Sequence, residues 1–252
     1  MQYETLFLSD LHIGSPFFRS THFKAFIDRI SAKKVILNGD IFDIRFILKN
    51  SAYLRSHFEA IEALGKMIGR SKETIYLFGN HDIELDVLPG LHPHNIRFVH
   101  TYQHTTLLGQ KLLVLHGDCF DQALREGMPS WRIETIGKLY QTITVLDAWC
   151  YGHLGWSADI LGRFKRRSNT WRKYLSRFRT MAIDAAQEHL ADGVVCGHIH
   201  VPALEIQNGL LYANSGDWAE NRTALAEDQY GHLHLLTIEG QHVLSKQNTR
   251  SA

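Results

Sequence analysis

What this chain of 252 residues has little of narrows its class first. Its net charge is only +1, from 27 Lys and Arg against 26 Asp and Glu, so bulk charge gives no case for nucleic-acid binding. No apolar run approaches the roughly 20 residues that a membrane-spanning helix needs. Three cysteines, Cys119, Cys150 and Cys196, are too few and too scattered for a disulfide framework, and they form no CxxC pair. The opening Met1-Gln2-Tyr3-Glu4 carries no basic segment leading into an apolar stretch, so a cytoplasmic protein without a secretory signal is expected. A hydrophobic share of 44% with 21% charged residues excludes disorder and supports a sizeable core. One residue type is over-supplied. There are 16 histidines, and histidine is the commonest metal ligand and the usual acid–base group near neutral pH.

The first third reads as alternating strands and helices. Apolar runs at Thr5-Leu6-Phe7-Leu8, Val35-Ile36-Leu37 and Ile75-Tyr76-Leu77-Phe78 predict buried strands. Between them, Phe23, Phe26, Ile27 and Ile30 mark one helix, with Ser20 or Thr21 as N-cap, and Leu54, Phe58, Ile61, Leu64 and Ile68 mark another. Leu107-Leu108 and residues 112–115 flank Gly109-Gln110-Lys111 as a hairpin. The stretch 122–180 differs. It is helical by period and carries eleven Lys and Arg against four Asp and Glu, so it reads as a basic, aromatic-rich insertion in a mildly acidic α/β scaffold. The expected organisation is a core of 1–121, a helical cap insertion of 122–180, and a core completed by 181–252. Strands return at 193–196, 210–213, 223–226 and 233–238.

Each early strand runs directly into a polar cluster: Asp10-Leu11-His12, Gly39-Asp40, Gly79-Asn80-His81-Asp82, then His116 and Gly197-His198-Ile199-His200. Singly, each fragment is an ordinary turn or a surface pair. Together, five fragments that each end an apolar strand point to one site, because ligands of such sheets collect at the carboxyl ends of the strands. Alternate residues of an extended chain point the same way, so Asp10 with His12, and His198 with His200, are expected to converge. The candidate ligands are Asp10, His12, Asp40, Asn80, His116, His198 and His200. All are oxygen or nitrogen donors, which suits manganese, iron, cobalt or zinc. Seven exceed what one open metal position uses, whereas two ions sharing a carboxylate, the standard device for phosphate-ester hydrolysis, accommodate them.

The order and content of these five blocks resemble the calcineurin-like metallophosphoesterase signature across about residues 3–238. Within that superfamily, residues 9–14, 116–121 and 212–218 look like the UDP-2,3-diacylglucosamine hydrolase branch, which also inserts a helical cap after the His116-Gly117-Asp118 block. The resemblance implies an α/β fold of two mixed β-sheets packed face to face, flanked by helices and bearing that cap. It implies two divalent metals, usually manganese in this branch, with zinc or iron as alternatives. Asp10, His12, Asp40 and His200 would hold the first. Asp40 would bridge to a second held by Asn80, His116 and His198. The implied reaction is cleavage of a nucleotide-sugar-lipid diphosphate by a hydroxide bridging the metals, releasing UMP and an acylated sugar 1-phosphate.

One departure bears on chemistry. The lipid enzymes commonly carry Arg where this chain has His81. Expelling a sugar phosphate needs little proton donation, whereas expelling an alkoxide gains from a general acid. His81 with Asp82 beside it suits that acid, so a metallophosphoesterase acting on a soluble phosphomonoester or diester is the alternative. Asn80, His198 and Asp121 are candidate substrate contacts. Lys165 and Arg166 belong to a basic run beside Trp156, Phe164 and Trp171, which would bind phosphate and line an acyl groove, or lay the cap on the cytoplasmic face of the inner membrane as a peripheral contact. The expected partner is a phosphorylated small molecule or glycolipid. Nucleic acid is not expected, because the basic patch is confined to the insertion, and the sequence is silent on oligomeric state.

Overall fold

The computed structural model describes residues 1–82, 95–125, 168–238 and 240–242. Along the chain run β1 (Gln2–Leu8), α1 (Ser20–Ile27), β2 (Ser31–Asn38), α2 (Ile44–Lys49), α3 (Ala52–Ser56), α4 (Phe58–Arg70) and β3 (Glu73–Leu77). Then come β4 (Ile96–Val99), β5 (Thr101–Thr105), β6 (Lys111–Leu115), α5 (Asp121–Arg125) and α6 (Asn169–Glu188). The last are β7 (Gly193–Cys196), β8 (Ala203–Gln207), β9 (Leu210–Asn214), β10 (Thr223–Glu227), β11 (Leu233–Thr237) and β12 (Gly240–His242).

The strands form two mixed sheets, ordered β12-β11-β10-β1-β2-β3-β4 and β5-β6-β7-β9-β8. In the first, β1 pairs parallel with β2, β2 with β3 and β3 with β4, while β10 runs antiparallel to β1. In the second, β6, β7 and β9 are parallel, with β5 and β8 antiparallel at the edges. This is the α/β architecture of two mixed sheets flanked by helices that the sequence implied.

The unbroken apolar runs have a physical reason: their strands are buried on both faces. Leu6 and Leu8 of β1, with Val35 and Leu37 of β2, pack into one cluster beside Phe23, Phe26 and Ile27 of α1 and Ala60, Ala63, Leu64 and Met67 of α4. Phe7 and Ile36 point the other way, into a second cluster with Leu112 and Val114 of β6 and Val195 of β7. The period of two thus divides each strand between a helix–sheet layer and a sheet–sheet layer.

Local details depart from the sequence reading. The residue capping α1 is Arg19, with no side-chain bond, rather than Ser20 or Thr21. The single helix expected over residues 54–68 is split into α3 and α4, with α2 ahead of them; neither α2 nor α3 buries a residue, and Phe58 is 58% exposed. The buried stripe of α4 is Ala60, Ala63, Leu64 and Met67, because small alanines let the helix sit close to the sheet. The hairpin strand opposite β6 is β5, and Leu107 and Leu108 lie exposed in the connection.

By internal contacts the chain forms two compact units, Met1–Asp118 with Ala182–Ala252, and Cys119–Met181. In the second unit Phe120 meets Phe178 edge-on with centroids 5.5 Å apart, and Trp171 stacks on Tyr174 at 5.3 Å. There too, the Tyr174 hydroxyl donates to Asp121 Oδ1 at 3.2 Å, and Arg177 donates to the Ala123 carbonyl at 3.1 Å.

Candidate metal centre

The loops that follow β1, β2, β3, β6 and β7 carry the candidate ligands, at the carboxyl ends of parallel strands. Main-chain bonds lock these loops to one another. Asp10 N–H donates to the Gly39 carbonyl at 3.1 Å, His12 N–H to Asp40 at 3.0 Å, and Gly197 N–H to His116 at 3.0 Å.

The route by which the ligands converge is not the expected one. Asp10, His12, Asp40, His198 and His200 have φ of 51°, 52°, 53°, 67° and 54°, so neither the Asp10–His12 pair nor the His198–His200 pair is extended. Each is a left-handed kink that turns its side chain inward, at a cost of about 1–2 kcal/mol per non-glycine residue. Two glycines allow the loops to approach this closely. A Cβ on Gly79 would collide with the Asp40 carboxylate, and one on Gly197 with the Asp10 carboxylate and the Ser9 side chain.

The side chains meet in overlapping groups. Asp10, His12 and His200 form one, with Asp10 Oδ1 3.2 Å from His200 Nε2 and the His12 and His200 Nε2 atoms 3.3 Å apart. Asp40, His116 and His198 form another, with Asp40 Oδ2 3.3 Å from His116 Nε2. The same Asp40 oxygen is 3.9 Å from His12 Nε2, so it stands between the groups, while its Oδ1 accepts the His81 N–H at 2.8 Å. Asn80 lies between Gly79 and His81, both of which abut Asp40, and its Oδ1 is buried with no hydrogen-bond partner.

Residues 3–202 match the calcineurin-like phosphoesterase family. The chain belongs to that family. Members of this family typically bind two divalent metal ions, and the His and Asp clusters described above suit such ions. A curated relative, the DNA polymerase II small subunit of Thermoplasma acidophilum, is 27% identical over 238 residues, covering 84% of this chain. The chain spans 44% of that relative's length. Among solved structures, the Escherichia coli phosphoesterase Yfce shares 16% identity with 96% of each chain covered, at a TM-score of 0.47. Zinc-bound Vps29 of Entamoeba histolytica shares 13% identity, covering 92% of this chain and 89% of that one, at a TM-score of 0.43.

The phosphoesterase residues suit divalent ions on physical grounds. Asn80 Oδ1 is a buried acceptor without a hydrogen bond, a costly state unless another group binds it. Burial opposes ionisation of Asp10 and Asp40, yet the facing histidines outweigh it and hold both carboxyls below the usual range, Asp40 furthest. Reciprocally, burial would lower the basicity of His116 and His200, but the carboxylates prevail. Asp40 holds His116 well above its ordinary value, and Asp10 pushes His200 up to about 9.

His81 occupies a third group with His12 and a carboxylate that the sequence reading passed over, Asp43. Asp43 Oδ2 is 3.3 Å from His81 Nδ1 and 3.8 Å from His12 Nδ1. Burial opposes the shifts here as well. The hydrogen-bonding and charge of this pair nonetheless hold the Asp43 carboxyl far below its usual range and raise His81. Asp82, expected to pair with His81, is instead fully buried and accepts from Tyr76 Oη at 2.7 Å, Ile41 N at 2.8 Å and Gly79 N at 2.6 Å. With its oxygens committed to those donors, it shapes the loop. The signal for Asp43 was its place three residues after Asp40, at the N-cap of a helix the periodicity did not show; Asp43 Oδ1 accepts from Phe46 N at 3.1 Å.

Of the expected substrate contacts, Asn80 and His198 lie in this centre, and Asp121 begins α5 in the other unit. Lys165 and Arg166 lie outside the described residues.

Proposed function

We propose that this phosphoesterase holds two divalent ions, one on Asp10, His12, Asp40 and His200 and the other on Asp40, Asn80, His116 and His198, and cleaves a nucleotide-sugar-lipid diphosphate such as UDP-diacylglucosamine to UMP and an acylated sugar 1-phosphate. The observation that carries the dinuclear part is the single Asp40 oxygen standing between two ligand groups. Manganese is the expected metal. The substrate assignment rests on the likeness of residues 116–121 and 212–218 to the lipid branch. It is supported by the second unit, where Arg172, Lys173 and Arg177 lie on the helix that carries the stacked Trp171 and Tyr174. Such a unit would bind acyl chains and rest as a peripheral contact on the cytoplasmic face of the inner membrane, where basic residues favour anionic lipid.

When bound, divalent ions supply positive charge for the phosphoryl oxygens and a nucleophile at neutral pH. The protein's own contribution is placement. The kinked loops fix Asp10, Asp40, His198 and His200 before substrate arrives, so little reorganisation is left for the reaction itself. His81, 39% exposed at the rim, carries its Nδ1 proton toward Asp43 and leaves Nε2–H for the departing oxygen.

That last arrangement favours a second reading, a phosphomonoester or phosphodiester with a poor leaving group, for which a general acid matters most. A manganese-dependent assay of UDP-diacylglucosamine beside bis-nitrophenyl phosphate separates the two. Release of UMP with kcat/KM at least a hundredfold above that for the synthetic diester is the expected result. Preference for the diester would overturn the lipid reading while leaving the metal centre intact.

A further inference from the structure

His200 lacks the support that ligating histidines usually have. A metal-bound imidazole normally donates its second ring N–H to a carboxylate or carbonyl, which fixes the ring. His116 has this, with Nδ1 bonded to the Asn38 carbonyl at 2.9 Å. His200 presents Nε2 to Asp10 and His12, but its Nδ1 is buried with no hydrogen-bond partner. The ring therefore depends on the main chain, and that main chain is left-handed at φ 54°. Something must hold it.

The segment 214–221 does so. Ser215 Oγ lies 2.6 Å from Ser9 Oγ, Trp218 N–H donates to the Asp10 carbonyl at 3.1 Å, and the Trp218 ring is fully buried against Phe23 and Phe26. This staples the segment to the loop that carries Asp10. At its far end, Asn221 Nδ2 donates to the His200 carbonyl at 2.8 Å. Its other proton goes to Asp217 Oδ2 at 2.5 Å. Asp217 is fully buried, and its Oδ1 accepts from the main-chain N–H of Ala219 at 2.8 Å and from that of Glu220. An amide can face either way, and only one way presents NH2 to His200. A carboxylate at Asp217 can only accept, so it selects that orientation.

We infer that Asp217 and Asn221 are positioning residues, a carboxylate–amide clamp that sets the His200 main chain and thereby the ion held by Asp10, His12 and His200. This rests on the dinuclear reading of the proposed function and adds to it an asymmetry between the two ions. The ion on Asp40, Asn80, His116 and His198 takes no ligand from His200.

Asn221 is exposed, so Asn221→Ala leaves the core untouched. Competition of manganese against a chromophoric chelator, with bound metal counted by mass spectrometry, reads both affinities without reference to activity. Removing such a support typically weakens a metal about 10–100-fold. The expected result is that loss at one of two ions, the other staying within about threefold and the metal-free melting temperature unchanged. Asp217→Asn, which frees the amide to flip, should weaken the same ion. Unchanged affinities in both variants overturn the clamp. Equal weakening of both ions with a lowered metal-free melting temperature also overturns it, because that marks a purely structural role. A parent protein that binds fewer than two ions overturns the dinuclear reading itself, and the clamp falls with it.

Discussion

Replacing Asp43 by Asn isolates what the carboxylate beside His81 does. The variant keeps an Oδ1 acceptor for the α2 cap, where Phe46 N–H donates at 3.1 Å, so the helix start survives. It removes one negative charge 3.3 Å from His81 Nδ1. Two unit charges at that distance attract by about 5 kcal/mol at an effective dielectric of about 20. His81 is 39% exposed, so solvent screening reduces this to about 1–2 kcal/mol, or roughly one pH unit. The sign follows from the direction of the shift. Asp43 helps to raise the His81 pKa against burial, the protonated form is the acid, and activity is lost as pH rises through that pKa. Without Asp43 the alkaline limb of kcat/KM should move down by about one pH unit, with the acid limb in place. At neutral pH the loss should be about three- to eightfold for an alkyl ester and within about twofold for a nitrophenyl ester, whose leaving group needs no proton. Both proteins carry the same ions, so the comparison cancels their effect. An unmoved alkaline limb, or equal losses across leaving groups, would refute the assignment of His81 as acid.

Two further expectations concern the scaffold. Glu227 on β10 of the first sheet is fully buried and accepts from Thr5 Oγ1 at 2.9 Å, Leu107 N at 2.6 Å and His104 Nε2, on β5 of the second sheet, at 2.9 Å. Glu227→Ala leaves those donors buried and unpaired, which should cost about 3–5 kcal/mol and lower the melting temperature by about 10 °C with metal binding retained; a shift under about 2 °C would show that water or rearrangement replaces the carboxylate. His57 is buried, its Nδ1 accepts from Gly14 N–H at 3.1 Å, and burial lowers its pKa to about 4. A depressed folded-state pKa gives stability that is full above about 6.5 and is lost as pH falls toward about 4, worth about 2–3 kcal/mol over that window. His57→Asn, which keeps an acceptor, should flatten this part of the acid-unfolding curve measured by circular dichroism.

The sheet layers were legible because their strands are apolar on both faces, and an unbroken run such as Val35-Ile36-Leu37 has few other uses. The residues that gather at the rim were legible as well, since each follows such a run within a few residues. The mechanism of their convergence was not. A left-handed Asp or His leaves no mark in composition or period, and the DxH and HxH spacings suggest an extended chain that φ values of 51° to 67° contradict. Asp43 was hidden for a related reason. Its function comes from capping α2, and α2 buries nothing, so no hydrophobic period announced it. Asp82 was misjudged because adjacency to His81 along the chain does not make adjacency in space. The turn sends its carboxylate back to Ile41, Tyr76 and Gly79.

These failures of sequence pattern fall at one place, and the clustering has a physical consequence. Left-handed strain, buried carboxylates and an orphaned acceptor are each unfavourable, and each sits at the rim where the strands end. The double-sided sheet core absorbs that cost, since Phe7, Ile36, Ile75 and Val195 between the sheets and Leu6, Leu8, Val35 and Leu37 beneath the helices are almost wholly buried. Divalent ions bound as proposed would relieve it, by supplying a partner to the orphaned acceptor and positive charge to the buried carboxylates. Under that proposal the residues that hold the kinks belong to the chemistry as much as the ligands do, because they fix the donor geometry in advance.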